Sequence, residues 1–184
     1  MYDLKSGNLV AVWHGDFVDA TPMWNDRGDG SFKPLGAVQY LFNNEPLATL
    51  SSPTDPFPAM KKETQLNETP YKGKGYVIEE GTGRPVFLYN YNGLDVEDKI
   101  YPDDDNRAIT HEVIVKNPVA QQNLYYKLAE GKTIIQLSNG MYAIDDKSYY
   151  IKPAAGTSPV IRDSNGKKEL ITPVSNSIKY TLIW

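Results

Sequence analysis

GYVIEEGTGRPVFLYNYNGLDVEDKIYPDDDNRAITHEVIVK, residues 75–116, is the stretch whose reading decides the fold. Runs rich in β-branched and aromatic residues alternate with short clusters of Gly, Asn and Asp, the pattern of an antiparallel meander. Asn92-Gly93 is its sharpest turn signal, because both central positions of a type I′ turn need positive φ and Asn and Gly tolerate it. Tyr91 and Leu94 are therefore expected to face each other across a two-residue hairpin. Phe87, Tyr89 and Tyr91 then fall on one face of their strand, and Val86 and Leu88 on the other. Large apolar side chains on both faces predict a strand covered on both sides, or an aromatic surface on one of them.

The rest of the chain repeats this grammar. Strands are predicted at Asn8–Trp13, Ala37–Phe42, Asn123–Leu128, Thr133–Leu137, Met141–Asp145, Tyr149–Lys152, Pro159–Arg162, Glu169–Pro173 and Ile178–Trp184. Turn residues such as Ser138-Asn-Gly140, Asp145-Asp146 and Ser164-Asn-Gly166 separate the later ones. Strands at this spacing predict an all-β fold, an antiparallel β-sandwich of up to a large two-sheet supersandwich, with little or no helix. In the last strand Ile178, Tyr180, Leu182 and Trp184 share one face. Pro118–Leu128 is the best helical candidate, and it lacks an apolar stripe at helical spacing.

Residues 43–74 hold Pro46, Pro53, Pro56, Pro58 and Pro70 and predict a crossing between an N-terminal lobe and the main sheet, with Leu47–Leu50 as its one short strand. The sequence is read as a single sandwich domain over residues 1–184. Tyr2-Asp3 enters a turn and strand at once after Met1, and the last strand runs to the aromatic Trp184. Such abrupt ends are expected of a domain excised from a longer protein.

Composition narrows the chemistry. The 184 residues are 40% hydrophobic and 11% aromatic, enough to bury a substantial core without a staple. Cysteine is absent, which removes disulfides, thiolate metal sites, iron–sulfur clusters and Cys-x-x-Cys-His haem attachment. A net charge of -4 comes with no basic cluster longer than a pair, so nucleic acid is not expected as a partner. No apolar run approaches the roughly 20 residues of a membrane span. The N-terminus has no basic segment leading into an apolar one, so export would rely on a signal peptide lying outside this sequence.

Between Trp13 and Gly30 the periodicity breaks. Trp13, His14, Asp16, Asp19, Trp24, Arg27 and Asp29 crowd into a Gly-rich stretch that reads as an ordered irregular loop over His14–Asp29. That mixture is what sugar binding requires: flat aromatic faces for the apolar side of a ring, carboxylates and a guanidinium for its hydroxyls. The plainer alternative keeps the indoles in the core and gives the aspartates to loop amides. Asp16 and Asp19 are also considered as an acid/base pair of the glycosidase kind, although the sequence does not fix the gap between them.

Asp103-Asp-Asp105 with Asn106 is an acidic turn that lacks the spacing of an EF-hand, and a solvated hairpin turn is favoured over a Ca²⁺ site. His111 is in phase with Ile109, Val113 and Val115 and is read as a satisfied structural group, since a zinc site would need His14 and carboxylates to converge on it. Arg27-Gly28-Asp29 is a chance-prone tripeptide, as is the glycosylation pattern Asn67-Glu-Thr69. Tyr125-Tyr126 and Tyr149-Tyr150 each put one ring on either face of a strand.

YDLKSGNLVAVWHGDFVDATPMWNDRGDGSFKPLG (2–36), YKGKGYVIEEGTGRPVFLYNYNGLDVEDKIYP (71–102) and ELITPVSNSIKYTLIW (169–184) together resemble a β-rich region of large exported bacterial multidomain proteins. Those proteins also carry c-type cytochrome and sugar-dehydrogenase-like propeller domains. Val12-Trp13, Gly15-Asp16-Phe17-Val18-Asp19, Met23-Trp24 with Arg27-Gly28, and Gly83-x-Pro85-x-Phe87-x-Tyr89 carry the resemblance most specifically. It implies periplasmic or extracellular placement and an accessory role, and it assigns no catalytic residue and no cofactor. The expected function is a non-catalytic accessory module that binds carbohydrate or packs against neighbouring domains. A carbohydrate-active hydrolase or epimerase and a purely structural spacer are the alternatives.

Overall fold

A computed structural model of the chain describes residues 1–24, 28–58, 70–105, 107–116 and 123–184. The meander forms as its turn chemistry dictates. β6 (Tyr71–Ile78), β7 (Pro85–Tyr91), β8 (Leu94–Pro102) and β9 (Ile109–Lys116) pair antiparallel in succession. Tyr91 sits opposite Leu94, with Asn92 at φ 50° and Gly93 at φ 87°, the type I′ geometry that the Asn-Gly pair predicts. β6 begins at Tyr71, so the meander takes in the last residues of the expected crossing.

The C-terminal strands extend this sheet and build a second one. β11 (Ile134–Gln136), β12 (Tyr142–Ile144), β13 (Tyr149–Pro153) and β16 (Ser177–Ile183) join β9 to give an eight-stranded sheet in the order β11-β12-β13-β16-β9-β8-β7-β6. β14 (Val160–Ser164), β15 (Lys167–Pro173), β10 (Leu124–Gly131) and β5 (Leu47–Thr49) form a four-stranded sheet in that spatial order. Both sheets are antiparallel throughout. The protein is an all-β sandwich.

Alternation puts the core between the two sheets. Leu94, Val96, Val113, Val115, Ile151, Ile178 and Leu182 from the large sheet meet Leu47, Leu124, Tyr126, Leu128 and Leu170 from the small one. Full burial of each such side chain is worth roughly 1.5–3 kcal/mol. The small sheet is covered on its other side as well: Ala48, Leu50, Phe57 and Ile171 form a second buried cluster beneath the described part of the Pro-rich crossing. This explains the near-continuous burial of β10, which has no solvated face to alternate toward.

The N-terminal strands stay outside both large sheets. Among the described residues β1 (Tyr2–Asp3) pairs only with β2 (Asn8–Leu9), and β3 (Ala11–Asp19) pairs only with β4 (Lys33–Tyr40). The stretch expected to be an irregular loop from His14 is thus a strand as far as Asp19. Short-range glycines masked its period, and cross-strand hydrogen bonds override that local signal.

Candidate functional site

The β3–β4 hairpin is an arm whose root is buried and whose length is exposed. Ala11 and Val12 are in the core, while His14, Gly15, Asp16 and Phe17 are open to solvent. Register pairs Trp13 with Val38, His14 with Ala37, Gly15 with Gly36 and Asp16 with Leu35. The register then shifts between Asp16 and Val18. Phe17 is the extra residue of this bulge, and it stands 82% exposed. At Gly36 a Cβ would collide with the His14 carbonyl oxygen, so the two strands approach more closely there than any side chain permits.

Each sequence-predicted site residue has a definite place in this arm. The Trp13 indole is half-buried and donates its Nε1–H to the carbonyls of Asp16 (3.2 Å) and Phe17 (3.0 Å), bracing the bulge. His14 stacks on Trp184 at 4.3 Å with the rings 19° apart, which ties the arm to the end of β16. Asp19 Oδ1 accepts the Thr21 amide at 2.9 Å at the start of a single helical turn, α1 (Thr21–Trp24). Hydrogen bonds from the Thr21 side chain and backbone hold its carboxyl below the usual range. Asp29 accepts the Ser31 amide at 2.8 Å and is lowered by the same kind of contact with Ser31. Asp16 is exposed and shares a face of the ribbon with Asp19, Leu35 and Lys33. Trp24 is 80% exposed. Arg27 lies outside the described residues.

The arm therefore brings these residues into one element and sorts them. Trp13, Asp19 and Asp29 are committed to the arm's own backbone. The apolar side chains point away from it: Phe17, Met23, Trp24, Phe32 and Leu35 are all exposed. Asp16 and Asp19 sit on an open ribbon face, where nothing walls off a glycosidic bond between them.

Three polar groupings escaped the sequence. The first lies in the core, where His111 Nε2 is 2.6 Å from Asp98 Oδ1 and His111 Nδ1 is 2.7 Å from the Tyr180 hydroxyl. Tyr2 donates to the other Asp98 oxygen at 2.9 Å. A carboxylate that accepts on both oxygens places the imidazole proton on Nε2 and leaves Nδ1 to accept from Tyr180. His111 is thus the satisfied structural group expected of it. Burial, reinforced by the charge of Asp98, pushes the hydroxyls of Tyr2, Tyr71, Tyr89, Tyr126 and Tyr180 well above their ordinary value. Asp98 falls in phase with Leu94 and Val96, and a carboxylate at a core position was the available signal.

The second grouping lies on the far face of the small sheet. Lys127 is fully buried, 3.2 Å from Glu169 and 2.8 Å from Glu130, with its Nζ about 5 Å from the Phe42 and Phe57 rings. Arg162 binds Glu169 at 2.6 Å and also the carbonyls of Pro53 and Asp55, fastening the Pro-rich crossing to the sheet. Burial opposes ionisation of Glu130, but hydrogen bonds from Lys127 and Lys167 prevail and hold its carboxyl low.

The third is a surface pocket of about 270 Å3 at the root of the arm, where Tyr40 and Phe42 pass the turns at Lys132 and Asp145. The acidic turn forms as the sequence suggests: Asp103 Oδ1 accepts the amides of Arg107 (2.8 Å) and Ala108 (3.1 Å), and Asn106 lies outside the described residues. Among the described residues no group of three or more His, Asp or Glu side chains is placed to hold a metal ion, and no helix is long and apolar enough to cross a membrane.

The chain matches no protein-family model, no curated protein and no solved structure.

Proposed function

We propose that this is a non-catalytic accessory module of an exported multidomain protein, and that its β3–β4 arm docks against an apolar surface of a neighbouring domain. The supporting observation is the way the arm divides its side chains. A sugar needs free donors and acceptors around an aromatic face. Here the Trp13 N–H and one oxygen each of Asp19 and Asp29 are already engaged with backbone. What the arm offers outward is Phe17, Met23, Trp24, Phe32 and Leu35. Scattered apolar residues are ordinary on a surface, but a run of them on one projecting hairpin marks a contact element.

Two assays test it. Crosslinking with a photoreactive residue at position 24 in the parent protein, followed by mass-spectrometric mapping, is expected to join the arm to one apolar patch of an adjacent domain, and the contact should vanish when Phe17 is also replaced by Ser. A glycan array is expected to give no signal that depends on Trp24. A glycan signal abolished by Trp24→Ser would instead make the arm a carbohydrate platform. Turnover of a glycoside lost in Asp16→Asn would make it an enzyme.

A further inference from the structure

The pocket at the root of the arm is built from both sheets and from β4. Its walls are Tyr40 and Gln39 at the end of β4, Lys132 after β10, Asp145 and Ser148 in the β12–β13 turn, and Lys167 opening β15. Phe42, Gly131 and Tyr149 are buried at its base. The volume of about 270 Å3 is below the usual range for drug-sized ligands and suits one or two small rings.

Its chemistry is specific in three respects. Charge is balanced, with Glu130 and Asp145 against Lys132 and Lys167, so no net field selects an ion. Polar valences are left open: Asp145 Oδ1 accepts the amides of Lys132 (2.6 Å) and Thr133 (3.0 Å), while Oδ2 makes no hydrogen bond among the described residues. Gln39 donates Nε2–H to the Tyr40 carbonyl at 2.7 Å and keeps its own oxygen. Ser148 donates to the Asp145 carbonyl at 2.6 Å and keeps its lone pairs. Lys132 has no ion-pair partner among the described residues. Finally, Tyr40 is 64% exposed and brings an aromatic ring to the wall beside these groups.

The rim is also held rigid. Asp145, Asp146 and Lys147 all lie in the left-handed region, at φ 43°, 51° and 67°, which L side chains rarely adopt. The Asp145 carboxylate pins that turn onto the start of β11. Strained backbone kept in place beside a polar pocket is a common mark of a binding site.

We infer that this pocket binds a neutral carbohydrate, one ring lying on Tyr40 with its hydroxyls shared among Asp145, Lys132 and Gln39. An apolar ring face stacked on an aromatic, with hydroxyls that both donate and accept, is the ligand class that fits a charge-balanced, mixed-valence wall. Tyr40 and the turns lie away from the exposed tip at Phe17 and Trp24, so docking through the tip and binding at the root fail independently.

The experiment is saturation-transfer NMR on the intact chain with glucose, galactose, mannose, cellobiose, lactose and mannobiose, each at about 10 mM, a concentration that reveals Kd values near 1 mM. At least one is expected to receive saturation, and Tyr40→Ala is expected to weaken its binding about tenfold. Because Asp145 also holds a turn, Lys132→Ala serves as the second variant and should weaken binding several-fold with the fold unchanged by circular dichroism. Trp24→Ser should leave the signal intact. No transfer from any of the six sugars overturns the inference, as does a signal that survives both Tyr40→Ala and Lys132→Ala, or one that Trp24→Ser removes.

Discussion

In the sandwich, Tyr89, Tyr126 and Tyr180 are sealed between two sheets around Asp98 and His111, whereas in the arm Phe17 and Trp24 stand in solvent and the aspartates serve their own backbone. The two regions draw on the same residue types, aromatics with carboxylates and a histidine. In the sandwich the apolar faces are used up in stability, and the buried Asp98 and His111 are held there by their partners. In the arm Trp13, Asp19 and Asp29 are engaged with local backbone, and the apolar faces stay available for contact. Substitutions should accordingly separate the regions, with large stability effects from the first and almost none from the second.

Alkali gives the largest expected effect. Tyr2, Tyr71, Tyr89, Tyr126, Tyr149 and Tyr180 have hydroxyls raised chiefly by burial. In the unfolded chain they ionise near pH 10. Their contribution is complete below that value and fades as pH rises above it, at about 1.4 kcal/mol per pH unit for each group. Tyrosinate absorbance from these six rings should therefore appear in one step that coincides with loss of the β-sheet circular dichroism. Ionisation of those six with the β-sheet signal intact would mean that the core is not sealed.

Next in size is Asp98→Ala, which strips partners from His111 and Tyr2 at once. A loss of about 2–6 kcal/mol is expected in urea unfolding, because the buried donors of His111 and Tyr2 both lose their acceptor, at about 1–3 kcal/mol each. Acid should act more gently. The Glu130 carboxyl is held low in the fold, so its contribution is present above the ordinary carboxyl value and is lost as pH falls through the folded one. The urea midpoint of Glu130→Gln should thus change less between about pH 7 and about pH 3 than that of the parent. Tyr89→Phe removes a buried hydroxyl that has no partner among the described residues, and it should leave stability unchanged or raise it by up to about 1 kcal/mol. Smallest of all, Phe17→Ser and Trp24→Ser should each stay within about 0.5 kcal/mol by the same measurement.

Much of the sandwich was legible because β-structure writes its period and its turns locally. Asn92-Gly93 fixed a register, and the predicted C-terminal strands from Asn123 onward coincide with β10–β16 to within a few residues. The arm was less legible. Gly15, a bulge at Phe17 and Gly36 disrupt alternation, so a strand read as a loop. The polar centres were hardest, since Asp98, His111 and Tyr180 meet only through the pairing of β8 with β9 and of β9 with β16. Nothing near His111 in the chain announces its partners. Trp13 and Trp24 show the same limit from the other side: both are indoles in one segment, and only tertiary context makes one a brace and the other an outward face.

The small sheet carries a consequence for how the protein is made. Its edge strand β5 pairs with β10, Thr49 lying opposite Leu124, so a ribosome releases Leu47 and Ala48 long before their cover exists. Until then those residues wait unpartnered, and distant strand pairing of this kind is slow. Products terminated ahead of β10 should therefore clump, and synthesis in the cell should lean on holding factors through that interval.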